Sequence, residues 1–458
     1  MSELLLRDVE VAGRAGLDVR IAGGRIAAIG PGLPRAGAGE VAGRAGAGEV
    51  AGRAGASEVA GRGGALLPGL RDHHIHLLAA AARAGSLDVS PAHAPDLGAL
   101  AGRLRAAAAT GRPVRAVGYD DEATGRIDAA FLDRAGGGVP IRVQHRGGHA
   151  WVLGSAGRPA GVRTGPDGWV YGAEALPPAA GPPALGELSR RLAGYGVTAV
   201  TDASPGNDAA VAAHVAAARA RGELLQAVTL MGRGVPGGAD KIMLEEHAGW
   251  SLDETAARIA AAHRAGRPVA LHCASGAAVV FALAAFDEAG PRAGDRVEHA
   301  SVLDAGLLPR LAASGLTVVT QPGFLHDRGD DYLSRVDPAD VPGLYRIGSL
   351  LAAGVPVGGS SDAPFGPDDP WLAMRTAVTR ATRTGRVVGA AERITPEQAL
   401  ALYTGPADRP GGRPREVRVG APADLCLLRV PWREARASLA ADLVAATVIA
   451  GRVAHAAP

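Results

Sequence analysis

From residue 66 onward, short apolar runs alternate with helical stretches rich in Ala, Leu and Arg, the clearest of them at 207–221. Such alternation points to a parallel sheet with crossover helices, because parallel neighbours cannot be joined by a tight turn. Several runs finish in a residue able to do chemistry: "RAVGYDD" near Asp120, "PIRVQH" at His145, "GVTAVTD" at Asp202, "RPVALH" at His272, "DRVEH" at His299 and "GVPVGGSSD" at Asp362, while "ADKIML" contains Lys241. In a (β/α)8 barrel, strand ends of this kind gather on the face where active sites of that fold are found.

The first run of the region leads into "PGLRDHHIHL". Side chains alternate across a strand, so Asp72, His74 and His76 share one side and His73 faces the other. Two imidazoles at i and i+2 on a strand end can reach one metal ion. An ordinary hydrogen-bonded His-x-His pair is the common alternative, so this stretch needs support from the rest of the chain.

Lysine usage supplies some. Of 48 basic residues, Lys241 is the one lysine and all others are arginine, in a chain with Ala and Gly in excess. That bias resembles the product of a GC-rich genome. Arginine keeps its charge, whereas a buried lysine can lose its proton and act as a nucleophile or take up carbon dioxide as a carbamate. A position that retains lysine against this bias is a candidate for chemistry.

The formal charge of +2 is small for 458 residues, and the arginines are scattered without interleaved aromatics. Neither nucleic acid nor an anionic membrane is the expected partner. A small-molecule substrate is expected instead, and a homo-oligomer stays open. Cys273 and Cys426 suggest buried free thiols rather than a disulfide framework. The opening "MSELLLRDVEVAGRAGLDVR" lacks the basic start and apolar core of a secretory leader, and no apolar stretch of membrane-spanning length follows. The expected localisation is cytoplasmic.

Residues 1–30 alternate strand-like runs with glycine turns, and the final "VRVGAPADLCLLRV" and "VAATVIAGRVAHAA" return to short strands. The two ends can form one small β domain together. Between them, residues 36–62 carry a nine-residue repeat, "AGAGEVAGR" twice and then "AGASEVAGR". Without the aspartates of a calcium-binding β-helix it reads as a solvated low-complexity loop, its last copy running towards the strand before Pro68. The expected divisions are 1–67 and 406–458 for the β domain and 68–405 for the catalytic barrel.

Taken together, His74, His76, Lys241, His272, His299 and Asp362 resemble the ligand set of the amidohydrolase superfamily, in its amidohydrolase 3 branch. "PGLRDHHIHL", "RGGHAWVLGSAG", "VEHAS", "GSSDAPFGPDDPW", "ERITPEQALALYT" and "VGAPADLCLL" carry the resemblance over nearly the whole chain. It implies an α/β fold, a distorted (β/α)8 TIM-like barrel with a composite β-sandwich, and one or two divalent ions, usually zinc. By position, His74, His76 and Asp362 would hold the more buried ion and His272 and His299 the more exposed one. An N6-carboxylysine at Lys241 would bridge them. Two departures stand out: the lysine is followed by Ile-Met instead of Asp-Gly, and Gly154 replaces an asparagine of the substrate-loop motif.

The resemblance implies a metal-dependent amidohydrolase acting on carbon-nitrogen bonds other than peptide bonds, in an amide, formamide or cyclic amide, by a metal-activated hydroxide. Asp362 would move the proton from water to the leaving nitrogen and His149 would orient the substrate carbonyl. The alternatives are a mononuclear aminohydrolase of a heterocycle and a metal-free, non-catalytic relative; a full set of ligand positions argues against the latter. "GRGVPG" at 232–237 fits a dinucleotide-binding pattern, but it does not open a helix. Tyr119, Asp120 and His145 either face the same pocket or cap strand ends, the second being the commoner case.

Overall fold

The computed structural model describes residues 3–34, 57–148, 150–162, 164–171, 181–244 and 249–457. Most of the nonapeptide repeat and His149 lie outside these residues. Two compact units are present: one combines Met1–Ile75, Ser189–Asp362 and Gly366–Pro458, the other His76–Leu188 with Ala363–Phe365.

In the first unit, both chain ends build β structure. Strands Leu4–Val11, Arg14–Ala22 and Arg25–Gly30 form an antiparallel meander, and Ser57–Ala60 adds in parallel beside Leu4–Val11. Part of the last repeat copy is therefore strand, not loop. A second sheet runs Arg452–Ala456, Val444–Ile449, Leu425–Leu428, Leu66–Pro68. Leu4, Leu6, Val9, Val19 and Ile21 from the first sheet share one core with Leu66, Leu425, Leu427, Ala446 and Val448 from the second. Strict alternation cannot put both Leu6 and Val9 on that face. The ladder slips between them, where Asp8 takes φ 50°. One extra residue in the strand resets the parity, as a β-bulge does.

Eight parallel strands make up the rest of this unit. Leu70–Ile75 pairs with Val197–Asp202, which pairs with Ala227–Leu230. Asp240–Met243, Val269–Cys273, Arg296–His299, Thr317–Thr320 and Val357–Gly359 follow as a second sheet, each pairing with the next. Helices Ala209–Ala220, Leu252–Arg264 and Gly276–Ala289 lie between successive strands, and Asp208, Ser251 and Ser275 cap them by accepting N–H groups of the first turn. No helix among the described residues is long and apolar enough to cross a membrane.

The expected closed barrel is not found: among the described residues the eight strands form two open sheets. A closed ring would pair Val357–Gly359 with Leu70–Ile75. Instead the Gly359 N–H donates to the Leu402 carbonyl at 2.9 Å and the Arg71 N–H to the Tyr403 carbonyl at 2.8 Å, so the 402–403 segment takes bonds that a ladder would use. On the other flank, the glycine-rich turn 232–238 separates Ala227–Leu230 from Asp240–Met243.

The second unit has its own sheet, ordered Trp169–Tyr171, Ala150–Leu153, Ile141–His145, Val114–Tyr119, Leu87–Asp88. Leu100, Leu104, Leu132, Val143 and Val152 fill its core. The runs ending at Tyr119 and His145, expected to join the barrel, thus pair with each other and not with the eight.

Gly196 illustrates how tightly the first unit is packed. It has φ +82°, and a Cβ there would lie 2.5 Å from the Cys426 sulfur. Gly196→Ala is expected to lower stability by about 2–4 kcal/mol through backbone strain and overpacking, read as a shift in the urea unfolding midpoint.

Candidate metal centre

Within the first unit, four parallel strands and the turn after a fifth bring the candidate residues together. His74 comes from Leu70–Ile75, Lys241 from Asp240–Met243, His272 from Val269–Cys273 and His299 from Arg296–His299; Asp362 follows Val357–Gly359. The His74 and His299 ring centroids are 4.8 Å apart, and those of His272 and His299 are 4.4 Å apart. One Asp362 carboxylate oxygen lies 3.3 Å from His74 Nε2, the other 4.0 Å from His299 Nδ1. Lys241 is buried, and its charge acts on His74, Glu298 and His299.

Local backbone geometry aims two of these groups. His299 has φ 72° and Asp362 φ 54°. Among non-glycine residues, Asp and His enter this left-handed region more readily than most. The turn at His299, the last residue of its strand, lets two consecutive residues, Glu298 and His299, serve one centre that plain alternation would split. The Asp362 N–H donates to the His74 carbonyl at 2.8 Å, tying the aspartate to the histidine strand.

Asp72 strengthens that tie. Its carboxylate accepts the Ser361 hydroxyl at 2.5 Å and the N–H groups of Ser361 and His74, each at 3.1 Å. Burial nevertheless pushes its carboxyl up to about 7, the hydrogen bonds opposing the shift.

Burial also sets the state of the imidazoles. His74 is pushed down to about 3 by desolvation and the Lys241 charge, and desolvation lowers His299 as well. Both rings are neutral at physiological pH, the form that ligates metal. The His299 Nδ1 is 2.9 Å from the Gln321 carbonyl oxygen, whose amide nitrogen donates to the Ser360 hydroxyl, also at 2.9 Å. His74 Nδ1 is 2.5 Å from Glu298 Oε2. Each ring thus has an acceptor at Nδ1, and His74 turns Nε2 towards Asp362.

The donor set fits a divalent ion. With its proton on Nδ1, His74 directs a lone pair from Nε2, and 3.3 Å away is an Asp362 carboxylate oxygen, also an acceptor. Two acceptors so placed repel unless a proton or a metal cation lies between them, and the depressed imidazole pKa favours the metal. Neutral imidazoles with a carboxylate suit zinc and similar ions.

His76 is the first residue of the second unit. Its N–H donates to the Ala363 carbonyl at 2.8 Å, and its ring meets Phe365 edge-on at 5.3 Å. In the same unit, Asp120, Asp121 and His145 offer ligand atoms within 4.8 Å of one another. Asp120, however, pairs with Arg146 at 2.5 Å and caps the Asp121–Thr124 turn. Tyr119 donates to the Gly125 carbonyl at 2.6 Å. Structural bonds occupy this group, and Cys273 is a buried thiol raised by desolvation.

Sequence reasoning gave no role to Glu298, Gln321 or Asp72. For Glu298 a signal existed: Arg296 and Glu298 put two charges on one face of a strand whose residues are all buried. Burial itself opposes the Glu298 charge, but Arg296, Lys241 and His74 hold its carboxyl well below the usual range.

The amidohydrolase family pattern matches residues 58–455, and the chain belongs to that family. Over 137 residues, 29% of the chain, it is 34% identical to an N-substituted formamide deformylase of Arthrobacter pascens. The chain's matches span 25% and 30% of the lengths of two curated relatives. Among solved structures, an uncharacterized metal-dependent hydrolase from Pyrococcus horikoshii OT3 aligns with TM-score 0.66 and 18% identity, over 88% of this chain and 92% of that one. N-isopropylammelide isopropylaminohydrolase from Burkholderia multivorans ATCC 17616 aligns with TM-score 0.54 and 19% identity, over 99% and 98%. Both show a shared fold.

Asp72→Ala would leave the buried hydroxyl and N–H of Ser361 and the His74 N–H without their acceptor. The expected loss is about 2–3 kcal/mol in chemical denaturation, with Asp72→Asn milder because one acceptor oxygen remains.

Proposed function

We propose that this protein is a metal-dependent hydrolase of a small molecule, cleaving a C–N bond in a non-peptide amide, formamide or cyclic amide. The observation that carries this reading is the gathering of buried His74, Lys241, His299 and Asp362 with half-buried His272 on and just beyond parallel strands. The similarity of a stretch of the chain to a formamide deformylase supports that choice of bond. A cytoplasmic location is part of the same proposal.

His74 with Asp362, and His76 two positions along, would hold one ion, and His272 and His299 a second. Lys241 carrying a carbamate would hold both, since a carbamate offers two oxygens where an amine offers one nitrogen. When bound, such ions polarise a carbonyl and bring the pKa of water towards neutrality. Asp362 takes a proton from the attacking water on one carboxylate oxygen and returns it to the leaving nitrogen. Its two oxygens face different histidines. His149, outside the described residues, is proposed to orient the carbonyl.

Elemental analysis of protein purified with bicarbonate and without chelator tests the site. Two equivalents of divalent metal per chain are expected, falling to one or fewer in Lys241→Ala. Turnover of N-substituted formamides should fall at least roughly a thousandfold in Asp362→Ala, a loss of about 4 kcal/mol in transition-state stabilisation. One equivalent insensitive to Lys241 would point to a mononuclear aminohydrolase. No metal after zinc reconstitution would overturn the catalytic reading.

A further inference from the structure

Glu298 is fully buried and each of its oxygens has a separate partner. Oε2 lies 2.5 Å from His74 Nδ1 and Oε1 2.5 Å from Arg296 Nε. Arg296 is itself held: its Nη2 donates to the His73 carbonyl at 3.2 Å and lies 3.3 Å from the Met231 sulfur. The guanidinium is thereby anchored to the strand that carries His74, so carboxylate and imidazole sit in one rigid frame.

A neutral imidazole has one N–H, and an ionised carboxylate can only accept. The short contact to Glu298 therefore places the His74 proton on Nδ1 and leaves the lone pair on Nε2, 3.3 Å from the Asp362 carboxylate oxygen. A carboxylate behind an imidazole also makes the remote nitrogen more basic, which tightens a metal–histidine bond. The strict demand is on one ring edge: were the proton on Nε2, Nδ1 would face Glu298 lone pair to lone pair.

We propose that Glu298, oriented by Arg296, is a positioning residue that fixes the His74 proton on Nδ1 and strengthens Nε2 as a donor to a divalent cation. This rests on the metal-site reading above. It assigns work to a residue that the ligand pattern omits, and it separates two effects: Glu298→Gln keeps the shape and an acceptor but removes the charge, whereas Glu298→Leu removes both.

The test is zinc affinity of chelator-treated protein, measured by competition with a chromophoric chelator, alongside two-bond 1H–15N correlation of the histidine rings in the metal-free protein. The His74 signals are assigned by their loss in His74→Asn. Wild-type His74 should be protonated at Nδ1, and Glu298→Leu should shift the proton partly or fully to Nε2. Affinity should weaken at least tenfold in Glu298→Gln and further in Glu298→Leu, as expected when such an outer partner is lost. A purely structural counter-charge for Arg296 would lower the melting temperature without moving the proton. Bare Nδ1 in the wild type, or variant affinities within twofold of wild type, would overturn the proposal alone. Failure of the wild type to bind zinc would overturn this proposal and the metal reading together. Should Glu298→Leu not fold, Glu298→Gln and the wild-type spectrum decide.

Discussion

The carboxylate of Asp72 is the link on which the candidate centre depends. The first and last of the eight parallel strands are not joined by a ladder, because the Leu402 and Tyr403 carbonyls take the N–H groups of Gly359 and Arg71. The Ser360 N–H still donates to the Thr320 carbonyl at 3.1 Å, and beyond it the chain leaves strand geometry. Asp72 captures it through Ser361, and the His74 carbonyl captures the next N–H. Freed from the pleat but pinned at two points, Asp362 adopts φ 54° and turns its carboxylate towards His74 and His299. An open seam is thus a structural condition for the site: a continuous ladder would hold Asp362 extended.

Charge balance is the second condition. Lys241, Arg296, Glu298 and Asp362 are all buried. Unpaired charge in such a place would be disfavoured by several kcal/mol, while paired charge is tolerated when geometry and hydrogen bonds are good. Arg296 and Glu298 form such a pair at 2.5 Å. This arrangement favours neutral imidazoles, since desolvation and the Lys241 charge both act against a proton on His74. It also gives physical content to the solitary lysine: arginine at 241 would bring a fixed charge and a wide planar fork to a buried position beside the imidazoles.

That His74, Lys241, His272, His299 and Asp362 gather in the first unit is legible because strand alternation and strand-end position are local properties. Asp72 and His74 were expected on one side, and both face the elements that carry Asp362. The parallel α/β character followed from equally local alternation of apolar runs and helical stretches. Barrel closure was not legible, because it depends on which backbone groups compete for the last strand edge, and the competitors at 402–403 are remote in sequence. The runs at Val114–Tyr119 and Ile141–His145 look like barrel strands in isolation; that they pair with each other, and that Ile141–His145 takes an antiparallel neighbour in Ala150–Leu153, is a tertiary choice. Glu298 escaped notice because alternation assigns it to the face opposite His299, and only the positive φ of His299 lets consecutive residues serve one centre.

Gly154 shows that a departure from a family pattern can have a local cause. Its N–H donates to the Ile141 carbonyl at 3.0 Å, and a Cβ there would lie 3.0 Å from an Asp133 carboxylate oxygen and 3.3 Å from Leu132 Cβ. Asp133 meanwhile accepts the Ser155 N–H at 2.7 Å and hydroxyl at 2.6 Å. The carboxylate already serves the polar groups at this corner, and the space that a larger side chain would need is taken. Glycine at 154 is therefore a consequence of how Asp133 closes the corner against the helix Ala129–Gly136. Substrate choice must then be sought in residues other than this one, because a glycine packed against its own unit offers a ligand no side chain to recognise.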